Sequence, residues 1–167
     1  MTIAQALSAD FGHEAANTKA VLKAVPQDRF GWKPHEKSMS LGQLAGHVAE
    51  TPSWVRAMME NEMDFAAMPK DYKPFVPEKS SDLLAAFQKN AKAFEDALAG
   101  RDDRFMKQTW TMRNGDKVLM SFPRHLAIRS TAIHHLVHHR GQLTVYLRLL
   151  DVPVPSTYGP TADHPSF

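Results

Sequence analysis

Residues 134–160, HHLVHHRGQLTVYLRLLDVPVPSTYGP, hold four of the nine histidines of the chain within their first six positions. Apolar residues recur mostly at three- and four-residue intervals from about Pro123 to Leu150, a spacing typical of an amphipathic helix. Asp151 and the VPVP segment after it end this pattern. The sequence therefore predicts one long helix in this region, with a histidine cluster near its middle.

The four clustered histidines form two pairs with a spacing of four residues, so the members of each pair lie on one face of the helix. At about 100° per residue, His135 and His139 share a side with the apolar residues. His134 and His138 turn away from that side. The apolar residues on the side of His139 are Ala132, Leu136, Leu143, Tyr146, Leu147 and Leu150. We therefore expect His135 and His139 to point into the protein, where the pair could chelate one metal ion.

Three further stretches have the periodicity of amphipathic helices. The first ends at Pro26, and the second begins at Ser40 in a Ser-x-x-Gln capping box, with a kink expected at Pro52. The third starts near Ser81 and stops at Gly100. In this third stretch the predicted core stripe consists of Leu84, Phe87, Ala91, Phe94 and Leu98. Four helices and little strand predict an all-α four-helix bundle.

The connections between these helices differ in character. Residues 26–39 are predicted to be an irregular loop, and residues 66–79 carry three prolines. The connection before the last helix, residues 101–121, contains TWTM-RNGD-KVLM, which predicts a small hairpin with Asn114–Gly115 at its turn. Since 167 residues is the length of one ordinary domain, we expect one domain over residues 1–167.

Composition excludes several classes of function. The chain of 167 residues has no cysteine, which excludes disulfides, a Cys-ligated zinc site, an iron–sulfur cluster and a cysteine nucleophile. Its net charge is only +2, from 20 basic against 18 acidic residues, so nucleic acid binding is disfavoured. No stretch has the 18 consecutive apolar residues of a membrane span, and the N-terminus does not resemble a signal peptide. We therefore expect a cytoplasmic protein that does not bind membranes.

A third histidine completes a candidate metal site. On the second helix, His47 shares its side with Leu44, Trp54, Val55 and Met58, so it too is predicted to face inward. Neutral imidazoles suit zinc, nickel, copper or iron, and three protein ligands leave positions open for water or substrate. The alternative interpretation, in which inward histidines are merely hydrogen-bonded core residues, stays open on this pattern alone.

The motifs resemble those of a known family. Residues 134–160 resemble the last helix and tail of the DinB (damage-inducible) family, in which two histidines with three residues between them precede Arg-Gly-Gln. LGQLAGHVAE (residues 41–50) resembles the second-helix motif of that family, and RFGWKPHEKSMS (residues 29–40) resembles the loop before it. The resemblance implies a four-helix bundle, a homodimer and a divalent metal ion. Carried over by position, the metal ligands are His47, His135 and His139.

Two hypotheses for function follow. The first is a metal-dependent enzyme acting on an unidentified small molecule, because DinB relatives include thiol-dependent transferases and isomerases as well as proteins described as metal-dependent hydrolases. Zinc or nickel is the expected metal, with iron or manganese as alternatives, and any low-molecular-weight thiol would have to be supplied, since the chain has no cysteine. The second is a non-catalytic stress-response protein in which the metal is structural or sensed.

Candidate catalytic groups are few. The HExxH motif of metalloproteases is absent, since Leu-Val-His separates His135 from His139. The candidate carboxylates are Glu50, one turn beyond His47, and Glu14, in the apolar stripe of the first helix.

Two residues beyond the histidines have expected roles of their own. Gly141 is expected to permit close approach of a neighbouring helix, within the chain or across a dimer. Gln142 lies near the predicted ligand face, where it either orients a ligand or packs.

Overall fold

The computed structural model describes residues 1–165 and arranges them as a four-helix bundle with a small sheet beside it. The α-helices are α1 (Ile3–Lys23), α2 (Leu41–Glu50), α3 (Ser80–Leu98), α4 (Asp103–Lys107), α5 (Arg124–Ile128) and α6 (His135–Leu149). The strands are β1 (Glu62–Asp64), β2 (Thr109–Asn114) and β3 (Lys117–Pro123). Short 3-10 helices span Gln27–Arg29, Thr51–Met59 and Phe65–Ala67, and a π-helical segment spans Arg129–His134. The predicted bundle and the predicted long last helix are both confirmed.

The last helix is a continuous rod made of α5, the π-helical segment and α6. It ends where Asp151 adopts a left-handed conformation, with φ 56°. The amide of Val152 donates to the Leu147 carbonyl at 3.0 Å, and the amide of Asp151 donates to the Arg148 carbonyl at 3.1 Å. These two bonds form a Schellman motif, which satisfies carbonyls that the helix leaves free.

The second helix begins as predicted and continues differently. Ser40 and Gln43 form a reciprocal capping box, in which each backbone amide donates to the other side chain. Instead of a kinked α-helix, α2 ends at Glu50 and the chain goes on as the 3-10 helix Thr51–Met59. Pro52 explains the change, because proline has no N–H to donate and clashes with the carbonyl of residue 48 in an α-helix.

The buried side of α3 is rotated slightly from its predicted position. Leu83 and Ala93 are buried, whereas the predicted Leu84 and Ala91 are only half-buried. The rest of the predicted stripe is buried, and it includes Phe94, whose ring stacks on Phe11 of α1 at a centroid distance of 3.9 Å. This aromatic contact joins the first and third helices in the core.

The predicted hairpin is confirmed, with its turn one residue further along. Asn114 still pairs with Lys117, so the turn residues are Gly115 and Asp116 rather than Asn114–Gly115. Gly115 has φ 57°, which a side chain would disfavour at this position. A strand that the sequence did not predict, β1, pairs in parallel with β2 and completes a three-stranded sheet.

The four helices of the bundle are α1, α2 with the 3-10 helix after it, α3, and the rod that ends in α6. They enclose one buried apolar cluster, and α2 packs directly against α6 on one side of it. Facing helices of a bundle are the usual place for metal and ligand sites, because their inward side chains converge. In residues 1–165, no helix combines the length and the apolar character needed to cross a bilayer.

Candidate metal centre

Three histidines from two helices converge between α2 and α6. Each of His47, His135 and His139 offers one ring nitrogen, and these atoms lie within 4.8 Å of one another. The Nε2 atoms of His47 and His135 are 2.9 Å apart, and the ring centroid of His139 is 4.4 Å from each of the other two. The structure thus brings together the three histidines selected from the sequence, and it leaves His134 and His138 exposed, as predicted.

Burial keeps these imidazoles uncharged. It lowers the pKa of His47 from 6.5 to about 4, with further lowering from His139 and His135. The pKa of His135 is likewise lowered to about 4, first by burial and then by His139 and His138. Burial also lowers the pKa of His139. At neutral pH the three rings are therefore in the deprotonated form that metal coordination requires.

Gln142 orients one of the three rings. Its Oε1 atom lies 2.7 Å from Nδ1 of His139. Because an amide oxygen can only accept, Nδ1 carries the proton and the lone pair of Nε2 is left available. This agrees with the orienting role considered for Gln142 from its position on the helix. A hydrogen bond of this kind raises the basicity of a ligating imidazole and holds its orientation.

Trp54 closes one side of the histidine cluster. The 3-10 helix after α2 carries its ring to centroid distances of 5.3 Å from His47 and 5.0 Å from His135. The predicted placement of Trp54 on the side of His47 is therefore correct, although the local helix is of another type. The indole therefore packs against both rings.

The two candidate carboxylates have different surroundings. Glu50 accepts hydrogen bonds from the Tyr72 hydroxyl at 3.0 Å and from the Phe75 amide at 3.4 Å, and it lines a cavity next to Trp54 and His135. Glu14 is only 13% exposed and forms an ion pair with Arg140 at 2.7 Å. Glu50 thus faces a space where a small molecule could enter, whereas Glu14 belongs to a closed charge pair.

Arg140 is a buried residue that the sequence reasoning missed. It is 2% exposed, and its guanidinium donates to the Glu14 carbonyl, to the Thr18 hydroxyl and to the Tyr158 hydroxyl. Its position supplied a signal, because Arg140 is four residues after Leu136 and three before Leu143, within the buried stripe of α6. A charged residue in such a stripe needs a partner of opposite charge, and Glu14 is that partner.

The expectation for Gly141 is wrong within the chain. This residue is exposed, and a Cβ atom added to it would meet nothing within 4 Å among residues 1–165. No helix of that described part comes close to it. Close approach is found instead at Gly46, one residue before His47, where an added Cβ would lie 2.2 Å from the Phe75 carbonyl oxygen.

Comparison with known proteins places this architecture in a family. The family model described as the DinB family matches residues 4–166. The chain belongs to the DinB family. An uncharacterized protein of Bacillus subtilis (strain 168), YrdA, is 24% identical over 153 residues, which cover 90% of this chain and 84% of YrdA.

Solved DinB-like structures share the fold of this DinB chain. A DinB-like protein from Bacillus cereus ATCC 10987 superposes with a TM-score of 0.71 at 22% identity, over 92% of this chain and 97% of the other. A DinB-like protein from Bacillus subtilis, YjoA, gives a TM-score of 0.67 at 18% identity, over 90% and 96% of the two chains. The resemblance found in the sequence motifs is therefore confirmed for the family and for the fold.

Proposed function

We propose that this DinB protein binds one divalent metal ion through His47, His135 and His139. The observation that carries the proposal is the convergence of three ring nitrogens within 4.8 Å of one another. The donor set fits such an ion, because all three rings are neutral at pH 7 and one is oriented by Gln142. Imidazole nitrogen favours zinc or nickel, with iron as an alternative, whereas manganese prefers oxygen ligands.

The same site supports a metal-dependent enzyme that acts on a small molecule, either as a hydrolase or as a thiol S-transferase. A divalent ion held by three protein ligands supplies a Lewis acid. Trp54 packs against two of the three rings, and Glu50 is placed to accept a proton from a molecule in the adjoining cavity. For thiol transfer the thiol is a separate small molecule, since the chain has no cysteine.

Metal analysis of matched variants tests the proposed ligands. The wild-type protein is expected to retain about one zinc or nickel ion per chain after gel filtration, as three-histidine sites do. His47→Ala, His135→Ala and His139→Ala should each lose it. His134→Ala and His138→Ala are matched controls on the exposed side of the same rod and should keep it. Retention of a full equivalent in the first three variants would refute the ligand set.

Turnover measurements test the enzymatic part. Metal-loaded protein is screened against hydrolysable esters and against electrophiles, with and without a small thiol. Any turnover should fall strongly in His135→Ala, and in Glu50→Gln it should fall while the metal stays bound. Turnover that persists at the wild-type rate in His135→Ala contradicts catalysis at this centre.

The non-catalytic alternative has one observation in its favour. The candidate ligands join α2 to α6, so a bound ion would cross-link two helices of the bundle. Full metal loading with raised stability and no turnover would favour this structural role. A homodimer, a single domain over residues 1–167 and a cytoplasmic location remain predictions from the sequence.

A further inference from the structure

A cavity of about 650 Å³ lies beside the candidate metal centre, within the usual size range of small-molecule sites. Among the three clustered histidines, His135 lines this cavity, next to Trp54. The cavity lies between the bundle and the small sheet, so both β1 and the hairpin contribute to its wall. A molecule in this space would therefore reach the metal centre at His135.

Methionine is the most frequent residue type in the wall of the cavity. Five of the nine methionines of the chain line it, namely Met58, Met63, Met68, Met112 and Met120. Three of them form a row across the sheet, because Met63 pairs with Met112 in the parallel register and Met112 pairs with Met120 in the antiparallel one. Methionine side chains are flexible and polarisable, so such a wall adapts to apolar and aromatic bodies of different shape.

Polar groups in the wall are mostly engaged with the protein itself. The Tyr72 hydroxyl donates to Glu50, and the Thr131 hydroxyl donates to the Ala127 carbonyl. The wall also contains Ser53 and the exposed Arg56. Apart from these two residues, His135 and Glu50, the cavity offers few free donors or acceptors. A charged or polyhydroxylated body would lose most of its hydration among the apolar side chains of the wall, which is costly.

We propose that the substrate of this centre is an uncharged small molecule with an aromatic or alkyl body, which lies among the methionines and directs its polar group toward His135. This inference rests on the metal-centre function proposed above, and it specifies the class of substrate. Selectivity comes from the apolar wall, whereas the metal centre recognises only the polar end.

A matched pair of fluorescent probes tests the selectivity on metal-free protein. N-phenyl-1-naphthylamine is uncharged, and 8-anilino-1-naphthalenesulfonate has the same ring system with an added sulfonate. We expect the uncharged probe to bind with an affinity at least about tenfold higher, because only the sulfonate must be desolvated in an apolar space. Equal or tighter binding of the sulfonate would overturn the proposal.

Methyl NMR of the wild-type protein locates the bound probe without any substitution. With ¹³C-methyl methionine, the uncharged probe should shift the resonances of Met63, Met112 and Met120. Met1 and Met39, which are 96% and 42% exposed and lie outside the cavity, should not move. Shifts confined to methionines outside the cavity would overturn the proposal.

Variants separate this inference from the metal proposal. Met120→Glu places a charge in the cavity wall and should lower the affinity for the uncharged probe at least about tenfold. Leu119→Glu, at the neighbouring 45%-exposed position of β3, should leave it unchanged. If Met120→Glu does not fold, as judged by circular dichroism, the NMR result on the wild-type protein decides whether the probe lies among the methionines of the cavity.

His139→Ala completes the design, since His139 does not line the cavity. This variant should lose the metal and still bind the uncharged probe. Wild-type protein that binds the probe in the cavity but takes up no metal would refute the proposed function alone. Metal uptake by the three histidines, without probe binding in the cavity, would refute the substrate class alone.

Discussion

The proton on His139 is controlled by a single neighbour, Gln142. Its amide oxygen accepts from Nδ1 at 2.7 Å and leaves the lone pair of Nε2 available. Gln142→Ala removes this acceptor, and we expect zinc affinity to fall about 10- to 100-fold, as found for other partners of metal-binding histidines. Gln142→Glu keeps an acceptor at this position, so it should bind zinc at least as tightly as the wild-type protein does. Competition with a chromophoric chelator measures both, and an unchanged affinity in Gln142→Ala would contradict the orienting role.

The Glu14–Arg140 pair is expected to stabilise the fold. Arg140 is 2% exposed and its Nη2 lies 2.7 Å from Glu14, so Glu14→Ala leaves a buried cation without its counter-charge. We expect a loss of about 3–5 kcal/mol in the free energy of unfolding, measured by urea denaturation. Combining Glu14→Ala with Arg140→Met removes the unpaired charge and should recover part of that loss.

Metal analysis of Glu14→Ala, together with its stability, distinguishes two roles for Glu14. If the ion pair only stabilises the fold, the folded fraction of Glu14→Ala should bind metal at the wild-type stoichiometry. Loss of metal without loss of stability would instead connect Glu14 to the histidine centre.

Helix α2 and the segment after the sheet strand β1 meet backbone to backbone at Gly46. An added Cβ would lie 2.2 Å from the Phe75 carbonyl oxygen, so Gly46→Ala forces the two segments apart. We expect a destabilisation of about 1–3 kcal/mol, the usual cost of overpacking. Gly141→Ala is the matched substitution in α6, where the added methyl group meets nothing within 4 Å. It should stabilise the protein by up to about 1 kcal/mol, because alanine favours a helix more than glycine does.

Urea denaturation compares the two variants directly. Destabilisation by Gly141→Ala, together with a shift from dimer to monomer in sedimentation, would show that Gly141 contacts a second copy of the chain. Wild-type stability in Gly46→Ala would contradict the close packing of Gly46 on Phe75.

The helices were predictable because their signals are local. Apolar spacing, the capping box at Ser40 and the stop at Gly100 all lie within a few residues of the boundaries that they define. Strand β1 could not be predicted, because it has three residues and pairs with a strand about 50 positions later in the chain. The Asn114–Gly115 signal predicted a hairpin but misplaced its turn by one residue, since the register also depends on how the strands pack.

The candidate site could be predicted in part for a related reason. Helical geometry alone puts His135 and His139 on one inward face, and His47 follows from the same reasoning on a second helix. The methionine cavity, by contrast, is formed by side chains of the 3-10 helix, all three strands and the last helix. No spacing within one segment can show that these parts meet, so the cavity appears only in the folded chain.

Binding of zinc should stabilise the whole molecule, because the three candidate ligands come together only when α2 packs on α6. At a free zinc concentration of about 100 times Kd, binding to the folded state alone contributes about 2.7 kcal/mol. For a domain of this length, that corresponds to a rise in Tm of roughly 5–10 °C. Thermal unfolding followed by circular dichroism, with and without zinc, measures the shift.

Matched histidine substitutions make this thermal test specific. They lie on α6 and at the end of the π-helical segment before it. His138→Ala and His134→Ala alter exposed histidines and should preserve the rise in Tm, because neither side chain belongs to the group formed by His47, His135 and His139. His139→Ala should abolish the rise, since two remaining imidazoles bind zinc much more weakly than three. An equal rise in His139→Ala would mean that zinc stabilises the protein through other groups, and it would contradict a metal link between α2 and α6.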